Sequence, residues 1–285
     1  MSLQNFRPEI WSANLLVATR KTLVFGSCVN RDWEGEISEA GDSVRITSVG
    51  RPSIQTYIPN VTNIVPEQVN DSQRTLIVDQ AKYWSFEVDD VDARQAKGNV
   101  IPQSMNEAGY GLADVMDQFI AQNMLLGVQT ANQLGSISVA AYTKPSDLYD
   151  KVLVPLKVQM DLANIPTEGR WVNLRPEAHG ALLRDSRFVK ANESGTQDGL
   201  RNGHVGRAAG FDIQLTNNAP NTTGSEFAAI AGTNAAYTFA EQLNKVEAFR
   251  PQSSFADAVK GLALYGGKLV RPDFLASALV TVTNS

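Results

Sequence analysis

The stretch Leu76–Ala96 reads LIVDQAKYWSFEVDDVDARQA. Its first half is rich in β-branched and aromatic residues, the composition of a strand on a half-buried sheet. It then runs into Asp89, Asp90 and Asp92. Such a cluster reads as a cation site, a group of catalytic carboxylates, or a polar joint between two structural elements. A calcium loop needs oxygen ligands at its first, third and fifth positions. Counted from Asp90, those positions hold Asp90, Asp92 and Arg94, so the pattern fails. With Arg94 and Lys97 following, the acids read as a solvated or ion-paired joint leading toward a helix.

Upstream, the signals are β from Gly41 to Val88. In SVRITS, Val44 and Ile46 share one face, and Ser43, Arg45 and Thr47 the other. In SIQTYI the alternation pairs Ile54, Thr56 and Ile58. Between these runs and the strand-like TLIVD and KYWSFEV lies PNVTNIVPEQVNDSQR, whose Pro59, Pro66 and several Asn and Asp residues suit a projecting tip. A long hairpin of this kind cannot bury both of its faces alone.

The first 35 residues are apolar and aromatic, but Pro8, Gly26 and Gly35 limit them to short elements. A helical piece from Pro8 to Thr22 places Trp11, Leu15 and Ala18 or Thr22 along one face. Fully extended, such a segment spans about 115 Å, against a radius of gyration of about 19 Å for a compact chain of this length. It either docks on its own core or works as an arm reaching distant surface or a neighbouring subunit.

Downstream the period changes to 3.6. Ser104 and Glu107 make a capping-box pattern, and Leu112, Met116, Phe119, Ile120 and Met124 trace one helical face. Gly109 and Gly111 each cost about 1 kcal/mol of helix propensity. A second helix starts at Ser146, with Leu148, Val152, Leu156 and Met160 as its apolar stripe. Pro155 lies inside it and should kink or split it. RWVNL reads as a strand. Pro176 then opens a helix through EAHGALLRDSRF, with Glu177 suited to its positive end, and a loop follows at 193–202. VGRAAGFDIQL and FAAIAGT read as strands, NAAYTFAEQLNKVEAF as a helix, and the remainder as mostly β. The class is α+β with segregated elements and no internal repeat.

Composition narrows the function. The chain has 285 residues, 43% hydrophobic and 19% charged, with a net charge of −5. That charge gives no footprint for sequence-independent nucleic-acid binding, and no stretch approaches the roughly 18 apolar residues that cross a bilayer. Cys28 is the only cysteine, so no internal disulfide forms, and it reads as buried and structural. His179 and His204 have no partner at metal-ligand spacing. There is no G-x-S-x-G elbow and no phosphate-binding loop, and Gly203, Gly206 and Gly210 miss dinucleotide spacing. The expectation is a protein with no catalytic group, no metal and no cofactor.

An apolar arm, a long projecting hairpin and a glycine-rich α+β body resemble the major capsid proteins of tailed bacteriophages, the Hong Kong ninety-seven type fold. Specific phrases carry the likeness: GDSVRI, LIVDQAKYWSFEVDDVDARQA, IPTEGRWVNLRPEAHGALLRDSRF, VGRAAGFDIQLTNNAP and AVKGLALYGGKLVRP. The resemblance implies an N-terminal arm at 1–35, an extended loop at 36–90 with its tip near Asn60–Gln73, and a peripheral domain at 91–140. Within that domain, a long spine helix covers Ser104–Gly127. An axial domain follows at 141–267, and a C-terminal strand at 268–285 returns to the peripheral domain. The acids from Asp89 to Asp92 become the joint between the loop and the linker to the spine.

The same resemblance implies a structural protein that assembles with itself, as pentamers and hexamers, into the icosahedral head around a double-stranded DNA genome. Scaffolding, portal and decoration proteins are its further partners, its place is the virion, and no membrane is involved. Phe6, Trp11, Leu15 and Leu16 of the arm and Ile64, Val65, Val69 and Arg74 of the loop are the expected intersubunit contacts. Arm-like sequence begins within a few residues of Met1, so no cleaved prodomain is expected. The tip carries Asn60, Asn63 and Asn70 but no lysine, so no lysine–asparagine cross-link is expected there. The alternative is an encapsulin-like nanocompartment shell enclosing enzyme cargo.

Overall fold

The computed structural model describes residues 24–33, 43–49, 53–57, 59, 63, 66–67, 71–89, 100–189, 206–252 and 256–283. A 3₁₀ turn, Phe25–Cys28, comes first. Strands β1 (Ser43–Val49), β2 (Asp71–Ile77) and β3 (Gln80–Asp89) precede a 28-residue helix, α1 (Val100–Gly127). At 1.5 Å per residue α1 is about 42 Å long. Next come β4 (Gln133–Ala140), a π-helical stretch Leu148–Leu153 continuing into α2 (Val154–Leu162), β5 (Arg170–Leu174), α3 (Pro176–Leu182) and α4 (Ser186–Val189). The rest is β: β6 (Arg207–Ala208), β7 (Phe211–Leu215), β8 (Asn221–Thr223), β9 (Glu226–Thr233), β10 (Tyr237–Phe249), β11 (Ala256–Leu269) and β12 (Leu275–Thr283).

These strands form three sheets. The largest runs β4-β12-β9-β5-β7-β6, with β8 also paired to β9. Within it, β4 lies parallel to β12 and β5 parallel to β7. β9 carries FAAIAGT, a nearly continuous apolar run, because both of its faces are covered. Phe227, Ala229 and Ala231 join a core with α2, α3 and the π stretch on one side. Ala228 and Ile230 join a second core against α1 on the other. The second sheet, β10-β11-β3, is antiparallel and contributes Phe239, Ala263 and Tyr265 to that α1 core. The third is a two-stranded ribbon, β1 with β2, Val44 opposite Leu76. Its Val44, Ile46 and Leu76 pack on Ala240 and Leu264 of β10 and β11.

The spine helix is thus the axle on which two sheets are mounted. Met116, Ile120 and Met124 are at most 2% exposed, and burial of each stabilises the fold by about 1.5–3 kcal/mol. The helix begins at Val100, four residues before the expected cap at Ser104, which lies inside it. Pro102 falls within its first turn, where a missing backbone N–H costs nothing.

Pro155 splits the second helix as expected. The π-helical turns end at Leu153, and α2 starts with Pro155 at its second position. The stripe Leu148, Val152, Leu156 and Met160 is wholly buried.

Other expectations fail. NAAYTFAEQLNKVEAF is not a helix, because Tyr237–Phe249 is strand β10, paired along its length with β11. Ala, Glu, Gln, Leu and Lys favour helix locally. Here the cross-strand partners and the burial of Tyr237 and Phe239 on the α1 face override that propensity. Ser53–Tyr57 of SIQTYI is not strand, and all five residues are exposed. TLIVD and KYWSFEV are separate strands as expected, but they part at Val78–Asp79 into different sheets, β2 pairing with β1 and β3 with β11. EAHGALLRDSRF also divides, into α3 and the short α4.

Candidate functional site

Where the resemblance expects an arm and a loop, the candidate site is where each would leave the body, together with the apolar groups left exposed. The arm's root is residues 24–33, and it is fastened to its own subunit. Phe25 and Cys28 are fully buried in the α1 core. Asp117, near the middle of α1, accepts hydrogen bonds at Oδ1 from the amides of Val24 (3.0 Å) and Phe25 (2.7 Å). Its Oδ2 accepts one from Nδ2 of Asn218, in the turn after β7 (3.0 Å). Burial pushes the Asp117 carboxyl above its ordinary range, against the lowering by Asn218 and the backbone amides. Asn30 then forms a short parallel bridge to Thr238: its amide donates to Tyr237 O and its carbonyl accepts from Phe239, both at 2.9 Å. Arg31 pairs with Glu241 at 3.1 Å and lies over the Phe239 ring.

The loop's root is the β1–β2 ribbon and its approach to β11. Gly266 sits under the backbone of Ile77 and Val78, where a Cβ would fall against the Ile77 carbonyl and 2.7 Å from Val78 Cα. Gly267 likewise leaves room for the Tyr237 ring. Beyond this root, Ile54 is 88% exposed and Tyr57 61%. Tyr83 on β3, Leu126 on α1 and Leu162 on α2 are also largely exposed.

Of the eight expected contacts, Arg74 alone falls among the described residues. It lies in β2 opposite Ile46, and its guanidinium donates to the Leu269 carbonyl of the same chain at 2.8 Å. Phe6, Trp11, Leu15, Leu16, Ile64, Val65 and Val69 lie outside the described residues, as do Asp90, Asp92 and His204. Asp89 ends β3 opposite Ala256.

Among the described residues, the titratable groups bring no reaction centre together. Cys28 is buried and its thiol is pushed up to about 12, chiefly by burial, so it stays protonated at neutral pH. Its Sγ donates to Oε1 of Gln214 at 3.1 Å. His179 is buried in α3. Among the described residues there is no group of three or more His, Cys, Asp or Glu side chains able to hold a metal ion. No described helix is long and apolar enough to cross a membrane.

The residue missed from sequence is Asp117. The signal was present: it lies on the same helical face as Ala113, Ile120 and Met124, where an acid is out of place unless it has donors to meet.

No protein-family model matches the chain, and no curated protein is significantly similar to it. Solved structures are similar along nearly its whole length. One from Mycobacterium phage Che8 is 30% identical, with a TM-score of 0.73 and 90% of each chain covered. The capsid of the cyanophage P-SCSP1u is 18% identical, with a TM-score of 0.73, covering 92% of this chain and 89% of that one. A virus-like particle from Pyrococcus furiosus is 12% identical, with a TM-score of 0.58, covering 95% of this chain and 98% of that one. The mixture of helices and sheets agrees with those likenesses. The chain belongs to the major capsid proteins of tailed bacteriophages.

Proposed function

We propose that copies of this chain close as pentamers and hexamers into an icosahedral shell around double-stranded DNA, assembled in the host bacterial cytoplasm, and that the chain performs no catalysis. In this reading residues 1–35 are the arm, 36–90 the extended loop, 91–140 the peripheral domain, 141–267 the axial domain and 268–285 the returning strand. Scaffolding, portal and decoration proteins complete the set of partners.

The observation that carries the proposal is the exposed apolar surface beyond the ribbon. Ile54 and Tyr57 stand in solvent on a single subunit. Laid on a neighbour, such surface drives association at about 25 cal/mol per Å² buried, reduced by the cost of ordering the segments. Phe6, Trp11, Leu15, Leu16, Ile64, Val65 and Val69 are further intersubunit contacts in this reading, on their apolar character. Because the arm is held at Val24, the 23 residues before it span at most about 76 Å. That is enough to reach an adjoining subunit. The net charge of −5 suits confinement of DNA without adhesion to it.

The second reading is an encapsulin-like shell around enzyme cargo, and the fold likeness to the Pyrococcus furiosus virus-like particle fits a shell of either kind. Expression of the chain alone, followed by light scattering and negative-stain microscopy, tests assembly: closed shells or capsomer rings support it, and a monomer under all conditions argues against it. Deletion of residues 2–20 should leave a folded subunit that makes no stable shells. Heat-stable particles from that deletion would remove the arm from the mechanism. A cargo peptide inside shells devoid of DNA would favour the second reading.

A further inference from the structure

A polar cleft of about 290 Å³ opens beside the arm's root. One wall is Gln118 and Gln122 on the outer face of α1, and the other is Arg175, Asn217, Asn218 and Asn221. Arg175 directly follows β5 and Asn217 lies just past β7. These two strands run parallel, so both residues project from carboxyl ends of parallel strands, where open sheets leave room for ligands.

Arg175 is the only cation among the described residues lining the cleft, and no carboxylate there answers its charge. Its Nε is buried without a hydrogen-bond partner, and Nη2 makes one long contact, 3.4 Å to the Ala219 carbonyl. The guanidinium lies 5.5 Å from the centroid of the Phe227 ring, and it pairs with no carboxylate among the described residues. Asp117, behind Asn218, has both oxygens engaged. A buried charged donor left without an acceptor is costly, so the arrangement is incomplete as it stands. Around it the cleft offers only carboxamides. Asn218 is tied to Asp117 and Gln118 to Asp114 (2.8 Å), while Gln122, Asn217 and Asn221 hold exposed side-chain amides at the cleft.

We infer that this cleft is a carboxylate-binding site in which Arg175 takes the anion and the Asn and Gln amides donate to its remaining lone pairs. A planar monoanion matches the guanidinium fork. A nucleic-acid backbone does not, because affinity for it grows with the number of cations supplied and this cleft has one. The carboxylate has two sources: an acidic side chain from a second copy of the chain, or a free carboxylate. The first source rests on assembly and the second does not, which keeps failure of this site separate from failure of the shell reading.

The test has two arms on the full-length chain. In the first, thermal unfolding is followed in sodium acetate against sodium chloride at equal ionic strength. A ligand that binds the folded form raises the midpoint, so the wild type should melt higher in acetate. Arg175→Gln should abolish that shift, and Arg175→Lys should keep part of it. If Arg175→Gln does not fold, Gln122→Glu serves instead. It supplies an internal carboxylate beside Arg175 and should remove the acetate shift without lowering the midpoint. In the second arm, electron cryomicroscopy of assembled shells looks for what faces the Arg175 guanidinium. A neighbour's Asp or Glu there supports the site and names its source. Acetate density there, with no neighbouring acid, supports the site with a free carboxylate as the source. No acetate shift together with an empty cleft overturns the inference, and so does a DNA phosphate seated on Arg175.

Discussion

Asp117 and Asn218, 101 residues apart, are joined by a 3.0 Å hydrogen bond from the Asn218 amide to the Asp117 carboxylate. The other oxygen of that carboxylate holds the amides of Val24 and Phe25. One buried acid therefore ties the spine helix, the turn after β7 and the root of the arm to a common point.

Asp117→Ala leaves two backbone N–H groups of the arm's root without this acceptor, at about 1–3 kcal/mol for each buried donor. The expected result is a lower unfolding midpoint with the body still folded, read by chemical denaturation of the unassembled subunit. An unchanged midpoint would show that the arm's root is held by Phe25 and Cys28 packing alone.

Asp117→Asn gives a pH signature. The folded carboxyl is raised above the ordinary value of about 4, so the folded state holds its proton more tightly than the unfolded state does. The stability from that proton is full below the unfolded value and is lost as pH rises through the raised one. Asparagine is neutral throughout. The stability of Asp117→Asn relative to wild type should therefore shift in the variant's favour as pH rises across that window, measured by urea unfolding at several pH values. A pH-independent difference would remove Asp117 titration as the cause.

Gly266→Ala pushes a methyl group into the Ile77 carbonyl and the Val78 backbone. Backbone yields less readily than a side-chain end, so overpacking of about 1–3 kcal/mol is expected. The effect should appear as a lowered melting temperature and weakened shells, whereas Gly111→Ala, with open space at its Cβ, should raise neither problem.

Arg170 is 3% exposed and closes the end of α2: Nε donates to Pro166 O, Nη2 to Ile165 O and Nη1 to Asp161 at 2.6 Å. Arg170→Met should destabilise the subunit by about 1–3 kcal/mol, since it leaves those carbonyls unpaired. Lys157 and then Arg170 hold the Asp161 carboxyl below its ordinary range. Its contribution is present above the unfolded value and lost as pH falls through the lowered folded one. The wild-type advantage over Arg170→Met should therefore shrink in acid, read by denaturant unfolding.

Cys28, with its thiol pushed up to about 12 and its sulfur buried, should resist a thiol-reactive dye at pH 8 until the chain unfolds. Rapid labelling of the native protein would contradict the burial of the arm's root.

The parts of this fold legible in the sequence are those where local chemistry and tertiary demand agree. Pro155 cannot donate within a helix, so the break it announces is the break observed, and the Leu148–Met160 stripe is the face that is buried. β10 was illegible because its helix-forming residues are held extended by β11 and by the α1 core, partners remote in sequence. That TLIVD and KYWSFEV go to different sheets was hidden for a similar reason. A run of strand-forming residues does not say that its halves pair with different sheets. At the site, the exposed loop signalled assembly through composition alone, while the Asp117 hub depends on a turn a hundred residues away.

The parallel bridge of Asn30 on Thr238 has a consequence for how the subunit avoids the wrong kind of association. β10 is an outer strand of its sheet, and an uncovered outer strand is a template on which identical chains stack without limit. Asn30 uses that template at its first residues, and the bulge between Leu243 and Lys245 interrupts it further along. Open-ended fibril growth is thus blocked along this edge, and self-recognition is left to surfaces that can close.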